Sequence, residues 1–337
     1  ATITGCTTLQ NYVFNSISPA FSGASYIASS STFSFETMGG GTINVTGITS
    51  GGDGGFSGWT ASSGVNSIIA NNGTGNQASG LFAIAGGANS SASGNKSFIG
   101  GGGYNSVTGY YSVIGGGVSN SNTSQRAFIG GGQSNRASNL YSSIVGGQSN
   151  LTSGSRSFVG GGNHNSATTY NSSVVGGQFN LASGSRSFIG GGTFNIASNT
   201  YSTIVGGKFN LSSGQSSFIG GGQQNSATTY FSLVAGGYKN IASGNRSFIG
   251  GGQRNTASGS YSSILNGSGN TASGHASSVI VGSGNTVSGR NSAIIGGSGI
   301  LGSNNNSAYV PFLFIKSAST TVTVDDMLVK DSAGEVF

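Results

Sequence analysis

An asparagine recurs every fifteen residues along most of this chain. It stands at Asn105, Asn120, Asn135, Asn150, Asn165, Asn180, Asn195, Asn210, Asn225, Asn240, Asn255, Asn270 and Asn285. Thirteen successive hits rule out coincidence. With this asparagine as slot 1, slot 3 is mostly Ala and slot 4 is always Ser or Thr. Slot 8 is Ser except at Ala127, slot 10 is Ile or Val from Ile114 to Ile294, and slot 13 is Gly from Gly117 to Gly297. A further unit with Ile84 and Gly87 precedes these, and a slipped one runs near Ser67–Gly80. Such a unit is too short for a helix pair or a propeller blade, and Gly with β-branched residues at fixed places disfavours helix. The repeat predicts an all-β parallel β-solenoid, each coil two short strands and two Gly-rich corners. Strands stacked at roughly 4.8 Å would make the rod about 60 Å long.

Composition agrees with this reading and excludes the alternatives. Charged residues are 5% of the chain, against about a quarter in an ordinary globular domain. Twelve Tyr and 19 Phe are too many aromatics for a disordered chain. Sixty-five Gly among 337 residues with 2 Pro do not make collagen. Cys6 alone cannot build a disulfide scaffold. No apolar run reaches the roughly 18 residues of a membrane helix, so no membrane insertion is expected. No basic-then-apolar leader opens the sequence, and Ala1 is expected to be either a processed end or an artificial start.

Each constant slot has a physical reason. Side chains alternate along a strand, which places slots 8, 10 and 12 toward a narrow lumen and slots 1 and 3 across from them. The slot 1 asparagines are expected to bond their own copies one coil away, as a structural ladder. Gly at slots 12 and 13 would permit a corner with positive φ, and Ser or Thr at slot 4 suits a turn bond to backbone.

A second period of 30 is superimposed. Slot 9 is Phe in alternate coils, at Phe98, Phe128, Phe158, Phe188, Phe218 and Phe248, with Gly at slot 11. Most coils between carry their apolar residue at slot 11 instead: Val145, Val175, Val205, Ala235 and Leu265. These slots point away from the lumen. A second outward row, Leu151, Leu181, Ile196, Leu211 and Ile241, occupies slot 2. Outward apolar rows mark interfaces. Two different faces per chain suggest a heterologous contact that closes into a ring, most simply a homotrimer; the alternative is a monomer with a broader lumen.

Three regions are expected: a non-repeat cap or attachment region at 1–60, the solenoid at 61–302, and a β cap or the start of a further domain at 303–337. The first contains Pro19, Met38, Trp59 and a β-like run at Thr42–Val45; the last contains apolar strands at Tyr309–Ile315 and Thr320–Val324. Residues 54–324 hold no Asp or Glu, so paired carboxylates for glycoside hydrolysis are missing from the rod. His164 and His275 lie about seven coils apart and cannot share a metal. An enzyme, a metal and a cofactor are therefore not expected. The rod does hold ten basic residues. Slot 7 alternates between Tyr and Arg from Tyr111 to Arg156. One reading is a stripe for anionic glycan or nucleic acid; the other, preferred, is cation–π stacking between coils. The least repetitive outward column is slot 15, where His164, Phe179, Phe194, Phe209, Lys239 and Arg254 form a candidate ligand surface, although an inter-chain seam is the favoured use of it.

The unit N-x-A-S-G-x-x-S-x-I-x-G-G, as in Asn180–Gly192, resembles the head repeats of trimeric autotransporter adhesins. That resemblance implies a left-handed parallel β-roll packed as a trimer. The unit departs from that family in having fifteen residues rather than fourteen and in lacking heptads and an anchor. The chain as a whole resembles repetitive tail-fibre and appendage proteins of bacteriophages, with runs like SFIGGGxxNxAS, an I-T-G-C segment at Ile3–Cys6 and an apolar segment at Tyr309–Ile315. It implies a structural, adhesive fibre of an extracellular virion that spaces or presents host-receptor recognition. Its partners would be its own copies, other virion proteins and an anionic cell-surface glycan. A bacterial surface adhesin or filament subunit of the same fold is the alternative, and an ice-binding solenoid a distant third.

Overall fold

The computed structural model describes residues 21–27, 32–37, 42–46, 59–64, 66–70 and 75–311. Cys6 with the I-T-G-C segment, Pro19, Met38, the side chain of Trp59, and the expected strands beyond Pro311 lie outside them. The chain divides into two units, residues 1–60 with 70–72 and the remainder. In the first, β1 (Phe21–Ile27), β2 (Thr32–Thr37) and β3 (Thr42–Thr46) form an antiparallel sheet in chain order.

The second unit is the solenoid. Each coil contributes a two-residue strand at slots 2–3 and another at slots 9–10. Every strand pairs in parallel with the same slots of the next coil, as Leu181 does with Ile196 and Phe188 with Thr203. The slot 2–3 strands make one 16-stranded sheet. Single parallel bridges at slot 14, from Ala88 to Ser298, add a third paired column that the expected pair of strands did not include. Slots 2, 4, 9, 11 and 14 donate their N–H toward the following coil, as in Phe188 to Ser202 O (3.0 Å) and Gln178 to Gly192 O (2.9 Å).

The core is a file of slot 10 Ile and Val facing slot 3 Ala, all fully buried. Slots 1 and 8 are buried as well, so four of the five expected lumen positions hold. Slot 12 does not. A Cβ added at Gly146, Gly161, Gly176, Gly191, Gly206, Gly221, Gly236 or Gly251 would meet nothing within 4 Å, so this slot points outward. Nor does slot 12 adopt positive φ; slot 13 alone turns the corner, as at Gly192 (φ 91°). There a Cβ would stand 2.0 Å from the Gly207 carbonyl oxygen, so both conformation and space require glycine.

The asparagine ladder is present, with an added job. The Asn180 N–H and Nδ2 both donate to Asn165 Oδ1, at 3.0 and 3.1 Å. Asn165 Nδ2 donates to Gly161 O (2.9 Å) and Gly177 O (2.8 Å). Each asparagine thus ties together the corners on both sides of it: the slot 12 carbonyl before it, and the slot 13 carbonyl after it, which also accepts a backbone N–H (Asn163 to Gly177 O, 3.0 Å). The expected turn bond comes chiefly from slot 8 rather than slot 4: Ser157, Ser217 and Ser277 hydroxyls donate to the slot 5 carbonyl at 2.6–2.8 Å. In the one coil with Ala127 at slot 8, slot 3 is Asn122, whose Nδ2 crosses the lumen to Ala127 O (2.8 Å). The polar group has changed strands.

The coil at Asn76–Asn89 has one residue fewer. Ala85, not Ile84, is the buried slot 10 residue, pairing with Ile99, and Gly87 keeps the positive-φ corner. The missing residue is absorbed at the outward slot 12, where nothing packs. At the other end the coil continues past residue 302: Ala308–Tyr309 pairs with Ala293–Ile294. Ile300 replaces the slot 1 asparagine and ends the ladder, its N–H donating to Asn285 Oδ1 (3.0 Å). Ile300 and the Tyr309 side chain pack on the end of the core.

Candidate functional site

The backbone departs from strand twice per coil in a way the sequence did not advertise. Slots 7 and 15 sit in the left-handed region, with φ between 51° and 61° for every non-glycine there from Asn89 to Asn306. Their N–H groups consequently point back to the preceding coil, as Arg126 does to Tyr110 O and Phe194 to Gln178 O. This conformation costs a non-glycine residue roughly 1–2 kcal/mol. Yet slots 7 and 15 carry many bulky side chains, among them Tyr111, Arg126, Tyr141, Phe179, Phe194 and Phe209. Only toward the C-terminal end does slot 15 become Gly269, Gly284 and Gly299 and slot 7 Ala276, Asn291 and Asn306.

At slot 7 the side chains form a stacked file. Arg126 Cζ lies 5.7 Å from the Tyr111 ring centroid and 5.4 Å from that of Tyr141. Arg156 lies 5.8 Å from Tyr141 and 5.6 Å from Tyr170, and Arg186 5.5 Å from Tyr170 and 5.3 Å from Tyr201. Slot 7 of the intervening coil is Asn171; the ring comes from slot 6 instead, Tyr170. Tyr230, also at slot 6, joins the slot 7 Phe231 under Arg246. Scanning one column of the repeat misses both slot 6 rings; beside Asn171 an aromatic adjoining a gap was the available signal. The guanidinium groups also donate to phenol oxygens, Arg126 to Tyr141 (2.7 Å) and Arg156 to Tyr170 (2.8 Å). That hydrogen bond, with the cation's charge, holds the Tyr170 phenol below the ordinary tyrosine range. The preferred stacking reading of this column is what the structure shows.

At slot 15 the predicted residues fall into one column. His164, Phe179, Phe194 and Phe209 stack ring on ring, with centroids 4.9, 4.7 and 5.1 Å apart and the phenylalanines within 9° of parallel. Gln224, Lys239 and Arg254 continue the column beside an open groove of about 580 Å³ that Phe209, Leu211, Ile241 and Thr256 also line. Ring faces inside this stack are used by neighbouring rings, so the phenylalanines show the surroundings mainly their edges.

The two apolar rows are outward-facing. Phe98, Phe128, Phe188 and Phe248 are exposed, as are Val145, Val175, Val205 and Leu265, while Phe158 and Phe218 are half-buried. Val205 keeps 50% of its surface open. The glycine at slot 11 of the Phe coils has a local cause: a Cβ at Gly190 would stand 2.4 Å from the Val205 carbonyl oxygen, with Phe188 Cε1 alongside at 3.5 Å. That carbonyl, more than the ring, leaves no room for a side chain at slot 11 of these coils. On the other face Ile196, Leu211 and Ile241 are exposed and Leu151 and Leu181 half-buried. Among the described residues no group of three His, Cys, Asp or Glu could hold a metal. No helix among them is long and apolar enough to cross a membrane. The chain matches no family model and no curated protein sequence.

Proposed function

We propose that this chain is the shaft of an adhesive fibre, a homotrimer of left-handed coils on a phage virion that spaces or presents host-receptor recognition and joins other virion proteins. The observation that carries the reading is the pair of outward apolar rows, slots 9 and 11 on one face and slot 2 on the other. Rows of this length are rare on a monomer surface and typical of an interface. The slot 12 glycines beside the first row add support. Neither φ nor crowding within the chain calls for glycine at Gly146–Gly251, and close approach of a neighbouring chain would. Slot 12 accepts Val281 and Asn266 only near the C-terminal end, where the Phe–Val alternation also stops. The absence of carboxylates from the coils supports a structural rather than a hydrolytic role.

The test is the solution mass of the purified chain by light scattering, beside a variant with Val175→Glu and Val205→Glu. The wild-type chain should have three times the chain mass. The variant changes two exposed positions, should keep the coil fold, and should shift to single chains. A monomeric wild-type protein overturns the trimer and opens both faces to other uses.

A further inference from the structure

We propose that the slot 7 file is a receptor for an extended acidic polysaccharide, one with an acid group on every second sugar. The proposal deepens the adhesive reading but does not need the trimer, so its failure and that of the trimer are separately visible.

The cations of this file are regular. Lys96, Arg126, Arg156 and Arg186 stand two coils apart, which is roughly 10 Å per charge. No Asp or Glu exists between residues 54 and 324 to neutralise them, and the tyrosine partners leave the charge in place. Each of the three arginines has an aromatic ring on either side at 5.3–5.8 Å. A ligand therefore meets the guanidinium in its own plane, at the donor fork. That edge binds planar or tetrahedral oxyanions through paired hydrogen bonds. The guanidinium offers five N–H donors, and a phenol accepts from Nη1 of Arg126 and of Arg156, leaving the rest of each fork for a ligand. Stacking fixes the orientation before binding, which lowers the ordering cost a surface arginine otherwise carries.

Charge spacing discriminates between polyanions. Nucleic acid presents a phosphate about every 3.4 Å along a strand, so two of three phosphates would face no cation. Its bases also want exposed ring faces, and the rings here are covered by guanidinium. A sugar chain with alternate uronate units has carboxylates far enough apart to meet one cation each, with neutral hydroxyls between them facing the tyrosine edges and phenols.

The experiment measures binding of the full chain to polygalacturonate with alternating acids blocked as methyl esters, by isothermal titration at about 0.1 M salt, where the screening length is about 10 Å. Dextran and single-stranded DNA serve as comparison polymers. One variant carries Arg126→Gln, Arg156→Gln and Arg186→Gln; a second, with the same loss of net charge off the column, carries Arg136→Gln, Lys208→Gln and Arg290→Gln. Circular dichroism checks that both keep the coil fold. The expected result is binding to the polyuronate but not to dextran, weakened about tenfold or more in the first variant and less than about twofold in the second, since distant charges act weakly through solvent. Equal losses in the two variants, absence of polyuronate binding, or tighter binding of the DNA each overturn the proposal.

Discussion

Asn122 and Ala127 show how little latitude one coil has. Every other slot 8 residue from Ser112 to Ser292 is serine, and this coil loses that hydroxyl while gaining an amide opposite. Asn122 Nδ2 reaches the Ala127 carbonyl, but its Oδ1 is buried without a partner. Removing the amide alone, Asn122→Ala, also removes a bond to that carbonyl. Restoring the common pair, Asn122→Ala with Ala127→Ser, supplies a hydroxyl and deletes the orphan oxygen. A buried group without a partner costs about 1–3 kcal/mol. The double variant is therefore expected to be at least as stable as the wild type in urea denaturation, and the two substitutions non-additive by a comparable amount. At this scale the ladder was legible, because an amide every fifteen residues has few other uses. The left-handed residues at slots 7 and 15 were not. Tyr, Arg and Phe do not announce positive φ as glycine does, and only Gly269, Gly284 and Gly299 in the slot 15 column pointed to it.

The corner between slots 10 and 14 behaves as two unlike halves. Slot 13 is fixed by the backbone and slot 12 is free of it. Gly192→Ala must hold φ near 91° with a Cβ against the Gly207 carbonyl; it should lower stability by about 2 kcal/mol or more. Gly191→Ala meets open space, and thermal denaturation of the separated chain should show a change within about 0.5 kcal/mol. Glycine pairs in the sequence made these positions look equivalent, since composition does not record which of two glycines bends the chain. The strand slots were easier to read. Alternation of buried and exposed side chains leaves slot 10 apolar and slot 8 small in every coil, and glycine at slot 11 of the Phe coils answers chiefly to the carbonyl of the next coil.

Across the whole stack, each coil touches mainly the coils before and after it, so a defect stays local. Ile204→Ala deletes a fully buried side chain and should cost about 2–5 kcal/mol. Hydrogen exchange should then rise in the coils around Ile189–Ile219, while the coils at Ile114, Ile129, Val279 and Ile294 keep their protection; uniform loss along the rod would show a cooperative unit instead. Repeat number and coil architecture were legible in the sequence because fifteen residues admit few closed paths. Where the stack stops was less so. Pairing runs on to Ala308–Tyr309, since strand bonds are made by backbone and persist after the side-chain pattern of slots 1 and 10 has changed to Ile300 and Tyr309.

The forward-pointing amides at slots 2, 4, 9, 11 and 14, against the backward ones at slots 7 and 15, give the stack a grain. A new coil can be laid on one end only by offering mostly carbonyl oxygens, and on the other only by offering mostly N–H groups. The ends are therefore chemically distinct, like the two faces of a growing crystal. Turning a coil around would set like groups against like, so the direction in which the stack runs is written in its amide bonds.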